Sequence, residues 1–327
     1  PNERSSRWSA GLAGLLLTLA VIFGSFAISE EESEHTVPVA LVQANLSTVE
    51  REDIKLFLKN TDRYIELTKR VSKQPTLIVW PESVVLDPIP TFRRQLSDDP
   101  NLQGISGGNP IIFGALTYDT NRKIYNSALG VQPDGTILPP YHKRVLMPFG
   151  EYTPMAEIFP FLKEMNASVG DFSAGTGPAV FDLKLQAGLE ATLSVAPLIC
   201  YEEVQPQFAA ESVRSGAHLL VGLSNDAWFG DTAAPHQHHM IAAFRAIENR
   251  RSFVRSTNSG LSALIDPFGR TVATLPTFGE GVLEARLPLE DRLTIYTRYG
   301  NDLYWLIPLG ILVLLRSLRT RTNSPYP

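Results

Sequence analysis

The chain has 327 residues, with 29 Lys or Arg against 34 Asp or Glu and a net charge of −5 at neutral pH. Apolar residues at 44% and charged ones at 19% exclude a disordered or fibrous chain. A pI near 5.8 leaves no electrostatic footprint for nucleic acid. The single cysteine, Cys200, excludes an internal disulfide, a C-x-x-C redox pair and a multi-cysteine zinc site.

Trp8 to Ser29 form a run of 22 residues without a charge. As a helix it measures roughly 33 Å, enough to cross a hydrocarbon core of about 30 Å. Arg4 and Arg7 before it also suit a secretory leader, but the apolar run of a leader is only about 7–15 residues. A spanning helix over 8–29 is therefore the expectation. Near the other end Leu303 to Leu315 is uncharged, although it contains Pro308. With Arg316 snorkelling and Tyr304 and Trp305 at an interface, a second span over 299–318 is expected. A terminal amphipathic or core helix is the alternative there. Arg4 and Arg7 precede the first run, Glu30, Glu31, Glu32 and Glu34 follow it, and Arg316, Arg319 and Arg321 close the second. The positive-inside rule then makes both termini cytoplasmic and puts the middle region across the membrane, in a bacterium the periplasm. A first residue of Pro rather than Met suggests a piece of a longer protein.

Between these runs, residues 36–290 are expected to form one α/β domain. Short β-branched runs at Val37–Val42, Thr76–Trp80, Ile111–Leu116, Ser194–Ile199, Leu219–Leu223 and Leu261–Ile265 have the length and punctuation of buried strands. Ser47-x-x-Glu50 is a capping box, and Ile54, Phe57, Leu58, Ile65, Thr68 and Val71 follow at helical spacing. A second helix carries Met240, Ala243, Phe244 and Ile247 on one face, which predicts His236 on the core side and His238 and His239 elsewhere. Gln132–Gly135 and Asp266–Gly269 have turn chemistry.

Three segments place polar groups where an apolar element ends. Leu77-Ile78-Val79-Trp80-Pro81-Glu82 runs from a buried strand into a carboxylate, which is either functional or an ordinary acid at a helix N-terminus. Tyr141-His142-Lys143-Arg144 is followed by the Pro- and Gly-rich Met147 to Tyr152, where solvated basic residues are equally common. Ser194 to Glu203 carries Cys200 at a strand end. Such a thiol is often an inert small hydrophobe, yet a lone thiol facing an oxidising compartment argues for use. A cysteine nucleophile needs a base and a cation for the oxyanion, and Glu82 and Lys143 can supply both without a histidine. The sequence contains no G-x-S-x-G and no P-loop. The cluster His236-Gln237-His238-His239 lacks an H-E-x-x-H pattern, so neither a metal nor a cofactor is expected. A Cys/His protease using His236 is the minor alternative.

These segments resemble the nitrilase, or carbon–nitrogen hydrolase, superfamily, and within it the apolipoprotein N-acyltransferase family. The resemblance rests on Gln43-Ala44-Asn45, Trp80-Pro81-Glu82, Tyr141-His142-Lys143, Pro148-Phe149-Gly150-Glu151-Tyr152 and Ile199-Cys200-Tyr201-Glu202. It continues through Ser224-Asn225-Asp226-Ala227-Trp228-Phe229-Gly230, Pro235-His236-Gln237-His238, Arg255-Ser256-Thr257-Asn258-Ser259-Gly260 and Thr297-Arg298-Tyr299-Gly300. It implies a four-layer α-β-β-α sandwich and two-step acyl transfer. Cys200 would take an acyl chain from a phospholipid such as phosphatidylethanolamine as a thioester. The α-amine of a diacylglyceryl-cysteine apolipoprotein would then accept it, at the bacterial inner membrane. The resemblance makes Glu82 the general base and Lys143 the oxyanion donor, with Glu151 positioning Lys143 and Tyr201 and Glu202 shaping the pocket. Two departures stand out: family members carry several membrane helices before the domain where this chain has one, and Glu52 replaces a frequent Trp. Met155, Ile158, Phe159, Phe161, Leu162 and Met165 crowd around Pro160, and a lid that dips into lipid, led by Met155, Phe159 and Phe161, is the expectation. The alternatives are a membrane-tethered amidase with the same triad and a non-catalytic lipoprotein-binding module.

Overall fold

The computed structural model describes residues 3–28, 33–46, 54–72, 76–156, 158–159, 161–162, 171–186, 192–305, 308 and 310–312. The chain divides into two compact units, residues 1–34 and 35–327. The described residues of the first include one helix, α1 (Glu3–Ile28), whose large apolar side chains between Leu12 and Phe26 are exposed. Among the described residues no helix is long and apolar enough to cross a membrane.

The second unit is built on two sheets. The first has seven strands in the order β13 (Gly281–Pro288), β1 (Thr36–Gln43), β2 (Leu77–Val79), β4 (Ile111–Tyr118), β5 (Ile124–Val131) and β6 (Tyr141–His142), with β3 (Val85–Pro90) also paired to β4. The second has six, in the order β12 (Thr271–Leu275), β11 (Ser262–Ile265), β10 (Ser252–Thr257), β9 (Leu219–Ser224), β8 (Thr192–Ile199) and β7 (Phe181–Lys184). Strands β1, β2 and β4 run parallel, as do β8, β9 and β10.

Strand alternation sorts the core into layers. Val37, Val39 and Leu41 of β1 point between the sheets, where they meet Val195, Leu219, Val221 and Val254. Val42 and Ile78 face the other way, onto α2 (Ile54–Thr68) through Tyr64 and Leu67. The outer face of the second sheet packs Ala196, Leu198 and Phe253 against α3 (Pro206–Arg214) and α4 (Ala234–Asn249). The result is the expected α-β-β-α sandwich. The turns at Gln132–Gly135 and Asp266–Gly269 close with the expected backbone bonds, 2.9 and 3.0 Å long.

Helix α4 departs from expectation. Met240 (61% exposed), Phe244 and Ile247 face outward, while Ala242 and Ala246 are buried together with His238, Arg245 and Asn249. Small alanines let the helix approach the sheet, and the polar residues on that face have partners there. His238 is consequently the buried histidine and His236 is exposed, the reverse of the order the spacing predicts. At the C-terminal end, α5 (Ile295–Tyr299) stops at Gly300 (φ +47) and a 3-10 turn follows to Trp305, so the described residues do not form one continuous helix over 299–318. The capping box at Ser47 and Glu50 lies outside the described residues.

Candidate active site

Each candidate catalytic residue comes directly off a strand end. Glu82 follows β2 through Trp80-Pro81, Lys143 follows β6, and Cys200 follows β8. Gly114 of β4 makes room for the Glu82 loop: a Cβ there would lie 2.4 Å from Ser83 N and 2.6 Å from Glu82 Cα.

The structure brings Glu82, Lys143 and Glu151 into direct contact. Lys143 Nζ donates to Glu82 Oε1 at 3.2 Å and to Glu151 Oε1 at 3.0 Å. Asn126 of β5 donates its Nδ2 to the same two oxygens, at 2.8 Å each. Met147 N donates to Glu151 Oε2 at 2.8 Å, so this carboxylate is held by side chains and backbone together. All four polar side chains are buried. Burial works against the Lys143 ammonium, but Glu82, the Cys200 sulfur and Glu151 outweigh it and hold its pKa well above the ordinary lysine range.

Cys200 opens a 3-10 turn, Cys200–Val204, with φ +50, a left-handed conformation uncommon for a side chain with a Cβ. Burial pushes its thiol well above the ordinary range, the Glu82 carboxylate adds to this, and the Lys143 cation offsets only part. A thiol with a raised pKa rests in its neutral form, here beside Glu82 and the Lys143 ammonium.

The two acids that follow divide their work. Glu202 points into the core. Its Oε2 accepts from Ile199 N and Tyr141 OH, both at 2.8 Å, and its Oε1 accepts from Arg144 N at 2.6 Å. It thereby clamps the cysteine strand to the lysine strand, while Tyr201 is exposed. Glu203 enters a second buried cluster. Arg255 of β10 donates Nε to Glu203 Oε2, Nη2 to Asp226 Oδ2 and Nη1 to Leu261 O, each at 2.9 Å. His238 lies 3.3 Å from both carboxylates. Two glycines vacate the space: a Cβ on Gly222 would meet Glu203 Oε1, and one on Gly260 would meet Asp226 Oδ2, each at 2.3 Å. Burial raises the Asp226 pKa, but Arg255 and His238 outweigh it and hold this carboxyl well below its ordinary range. Burial pushes Glu203 up despite the same partners.

Asn126 and the pairing of Glu203 and Asp226 with Arg255 have no signature in the sequence, because these contacts cross between strands far apart in the chain. Gln43 and Asn45 also gain a physical role. Gln43 Nε2 donates to Pro276 O and Gly279 O, and Asn45 Nδ2 to Phe278 O, while Asn258 bonds Leu46 through both its amide atoms. These contacts tie the ends of the two sheets together beside Glu82. Of the lid candidates, Met155, Ile158 (71% exposed), Phe159 and Phe161 project outward, and the Phe159 and Phe161 rings meet edge-on at 6.1 Å. Pro160 and Met165 lie outside the described residues. Phe149, on a loop, and Trp228 (74% exposed), in the 3-10 turn Asp226–Phe229, are also bare aromatics next to site residues.

Residues 38–294 match the carbon–nitrogen hydrolase family, and the chain belongs to that family. Among curated proteins it is similar to the apolipoprotein N-acyltransferase of Geobacter metallireducens, 32% identical over 320 residues, covering 92% of this chain and 57% of the relative. The same protein of Rickettsia typhi is 31% identical over 314 residues, covering 93% of this chain and 60% of the relative. The chain thus spans about three fifths of the length of the curated relatives it matches. Among solved structures, Saccharomyces cerevisiae Nit3, a member of the nitrilase superfamily, shares the fold with a TM-score of 0.57 at 22% identity, over 79% of this chain and 92% of that one.

Proposed function

We propose that this chain is the acyl-transferring part of an apolipoprotein N-acyltransferase. The observation that carries the reading is the buried Glu82–Lys143–Glu151 cluster beside the sole cysteine, together with relatives of that name across most of the chain. Glu82 takes the Cys200 proton as sulfur attacks the acyl ester carbonyl of a phospholipid. Lys143 Nζ donates to the oxyanion that forms. The lysophospholipid leaves with the proton held by Glu82, and an acyl thioester remains. The α-amine of a diacylglyceryl-cysteine apolipoprotein then attacks that carbonyl, Glu82 takes the amine proton, and the thiol is restored. A neutral resting thiol suits this sequence, because each half-reaction moves one proton through one carboxylate.

The substrates fit a membrane-bound site. The exposed apolar side chains of α1 suit a lipid surrounding, with Arg4 and Arg7 at the cytoplasmic side and the hydrolase-like domain on the periplasmic side of a bacterial inner membrane. Met155, Phe159 and Phe161 serve as the lipid-contacting lid. The test is intact mass after incubation with phosphatidylethanolamine vesicles, with a short activated ester as control. A hydroxylamine-labile acyl adduct on Cys200, absent in Cys200→Ala, is expected from both. Acylation by the activated ester alone would reject the phospholipid donor. Acyl release to water despite an added lipopeptide amine would make the protein an amidase.

A further inference from the structure

The stretch between Glu151 and Phe172 starts and ends at one point, because Phe172 N donates to Glu151 O at 3.0 Å. The residue at this neck is also the one whose carboxylate holds Lys143. The returning chain then lies as a strap over β5 and β6. Ser173 N donates to Ile124 O and Gly175 N to Lys143 O, both at 2.8 Å. The approach is closest at Gly175, where a Cβ would lie 2.2 Å from His142 O and 2.8 Å from His142 C. Strand β6 has no room to give. His142 pairs with Ser127 in the β5–β6 ladder, its Nδ1 lies 2.8 Å from Ser127 Oγ, and its ring stacks on Tyr125 at 4.1 Å. Lys143 N donates to Asn126 O at 2.8 Å. Any side chain at position 175 must therefore displace either the strap or the backbone of the lysine. At Gly177, two residues on, a Cβ would meet nothing within 4 Å.

We propose that Gly175 is a positioning residue: the strap it allows fixes Lys143 and Glu151 relative to Cys200. This rests on reading those residues as the active site. The test exploits the single cysteine. The rate at which iodoacetamide alkylates Cys200 is measured against pH for the parent, Gly175→Ala, Gly177→Ala and Phe172→Pro, each with a thermal melt. Gly175→Ala is expected to alkylate about tenfold more slowly at pH 7.5, its profile displaced upward by about one pH unit, because the thiolate loses its aligned cation. Gly177→Ala is expected to match the parent. A parental profile for Gly175→Ala, or an equal slowing in Gly177→Ala, overturns the proposal. Should Gly175→Ala fail to fold, Phe172→Pro, which deletes the donor to Glu151, must show the same upward displacement, and an unmoved profile overturns the proposal equally. Alkylation needs neither acyl donor nor amine, so its outcome is separate from that of the acyltransferase test.

Discussion

Replacing Arg255 by Met tests the electrostatic frame behind Cys200. The guanidinium is fully buried and serves two buried carboxylates and one carbonyl with three bonds of 2.9 Å. Methionine keeps much of the volume and removes every donor. Glu203 and Asp226 then lose the guanidinium they share, keeping His238 and, on Asp226, the Ser224 hydroxyl. Breaking a single buried pair by removing one partner costs about 3–5 kcal/mol, and a cation shared by two anions belongs at the upper end, so about 5 kcal/mol is expected at pH 8. The pH dependence gives a second reading. In the parent the Asp226 pKa is depressed, so its contribution is in place above 3.8 and is lost only in acid below that. Without Arg255, burial and mutual repulsion raise both carboxyls, the folded variant takes up protons, and the deficit shrinks between pH 8 and pH 5.5. Urea unfolding in detergent, followed by tryptophan fluorescence with the fully buried Trp80 as a reporter, measures both. A deficit below about 1 kcal/mol, or one that is equal at the two pH values, would refute the account, because surface pairs behave that way and buried ones do not.

Glu82→Gln is expected to lower the rate of acyl-adduct formation by about 10²–10⁴-fold in stopped-time mass measurements, the range of a lost general base. The pH profile of Cys200 alkylation should climb across pH 6–9 with no limb from Lys143. That lysine's folded pKa lies above 10.5, so its ion pairs are fully in place below that value and are lost only as the pH rises beyond it. A rate that levels near neutral pH would contradict a raised thiol pKa. Replacing Phe159 and Phe161 together by Ser removes two exposed rings, each worth about 1.5–3 kcal/mol if buried in lipid. The apparent KM for phosphatidylethanolamine vesicles should rise about tenfold or more, while alkylation of Cys200 stays unchanged; an unchanged KM rejects the lid.

The features legible in the sequence share one physical origin. Strands β1, β2, β4, β8, β9 and β11 are near-continuous apolar runs because both their faces are covered, and such runs are visible without knowledge of their partners. The strands left unassigned mix polar and apolar residues. Pro88 and Pro90 interrupt β3, Asn126 and Ser127 sit inside β5, and Arg255, Ser256 and Thr257 sit inside β10. In β5 and β10 these polar residues are buried, with partners on other elements, so their burial is not written in local periodicity. The outward apolar edge of α4 misled for the same reason. A helical stripe of large apolar residues normally marks the core, but this helix turns alanines and a charged network inward.

The site motifs were legible because of where parallel strands put their ends. Gln43 ends β1, Glu82 follows β2, Cys200 follows β8, Asn225-Asp226 follows β9 and Asn258 follows β10. In a parallel arrangement these carboxyl ends lie on one edge of each sheet, where backbone groups no longer pair and polar side chains can gather. A strand that stops at a polar residue is a local signal, and it singles out the Glu82 and Cys200 segments, whereas Gln43, Asn225-Asp226 and Asn258 are marked only by the family resemblance. Which acid touches which cation is not local. Glu202 and Glu203 are neighbours of one residue type, yet the first accepts from the backbone of Ile199 and Arg144 and the second faces Arg255 and His238. The 3-10 turn that starts at the left-handed Cys200 sends the two side chains to different neighbours. Exchanging the surroundings of either acid would strand a charge in the core, so the geometry of that one turn underlies both the placement of Cys200 and the stability of the layer beneath it.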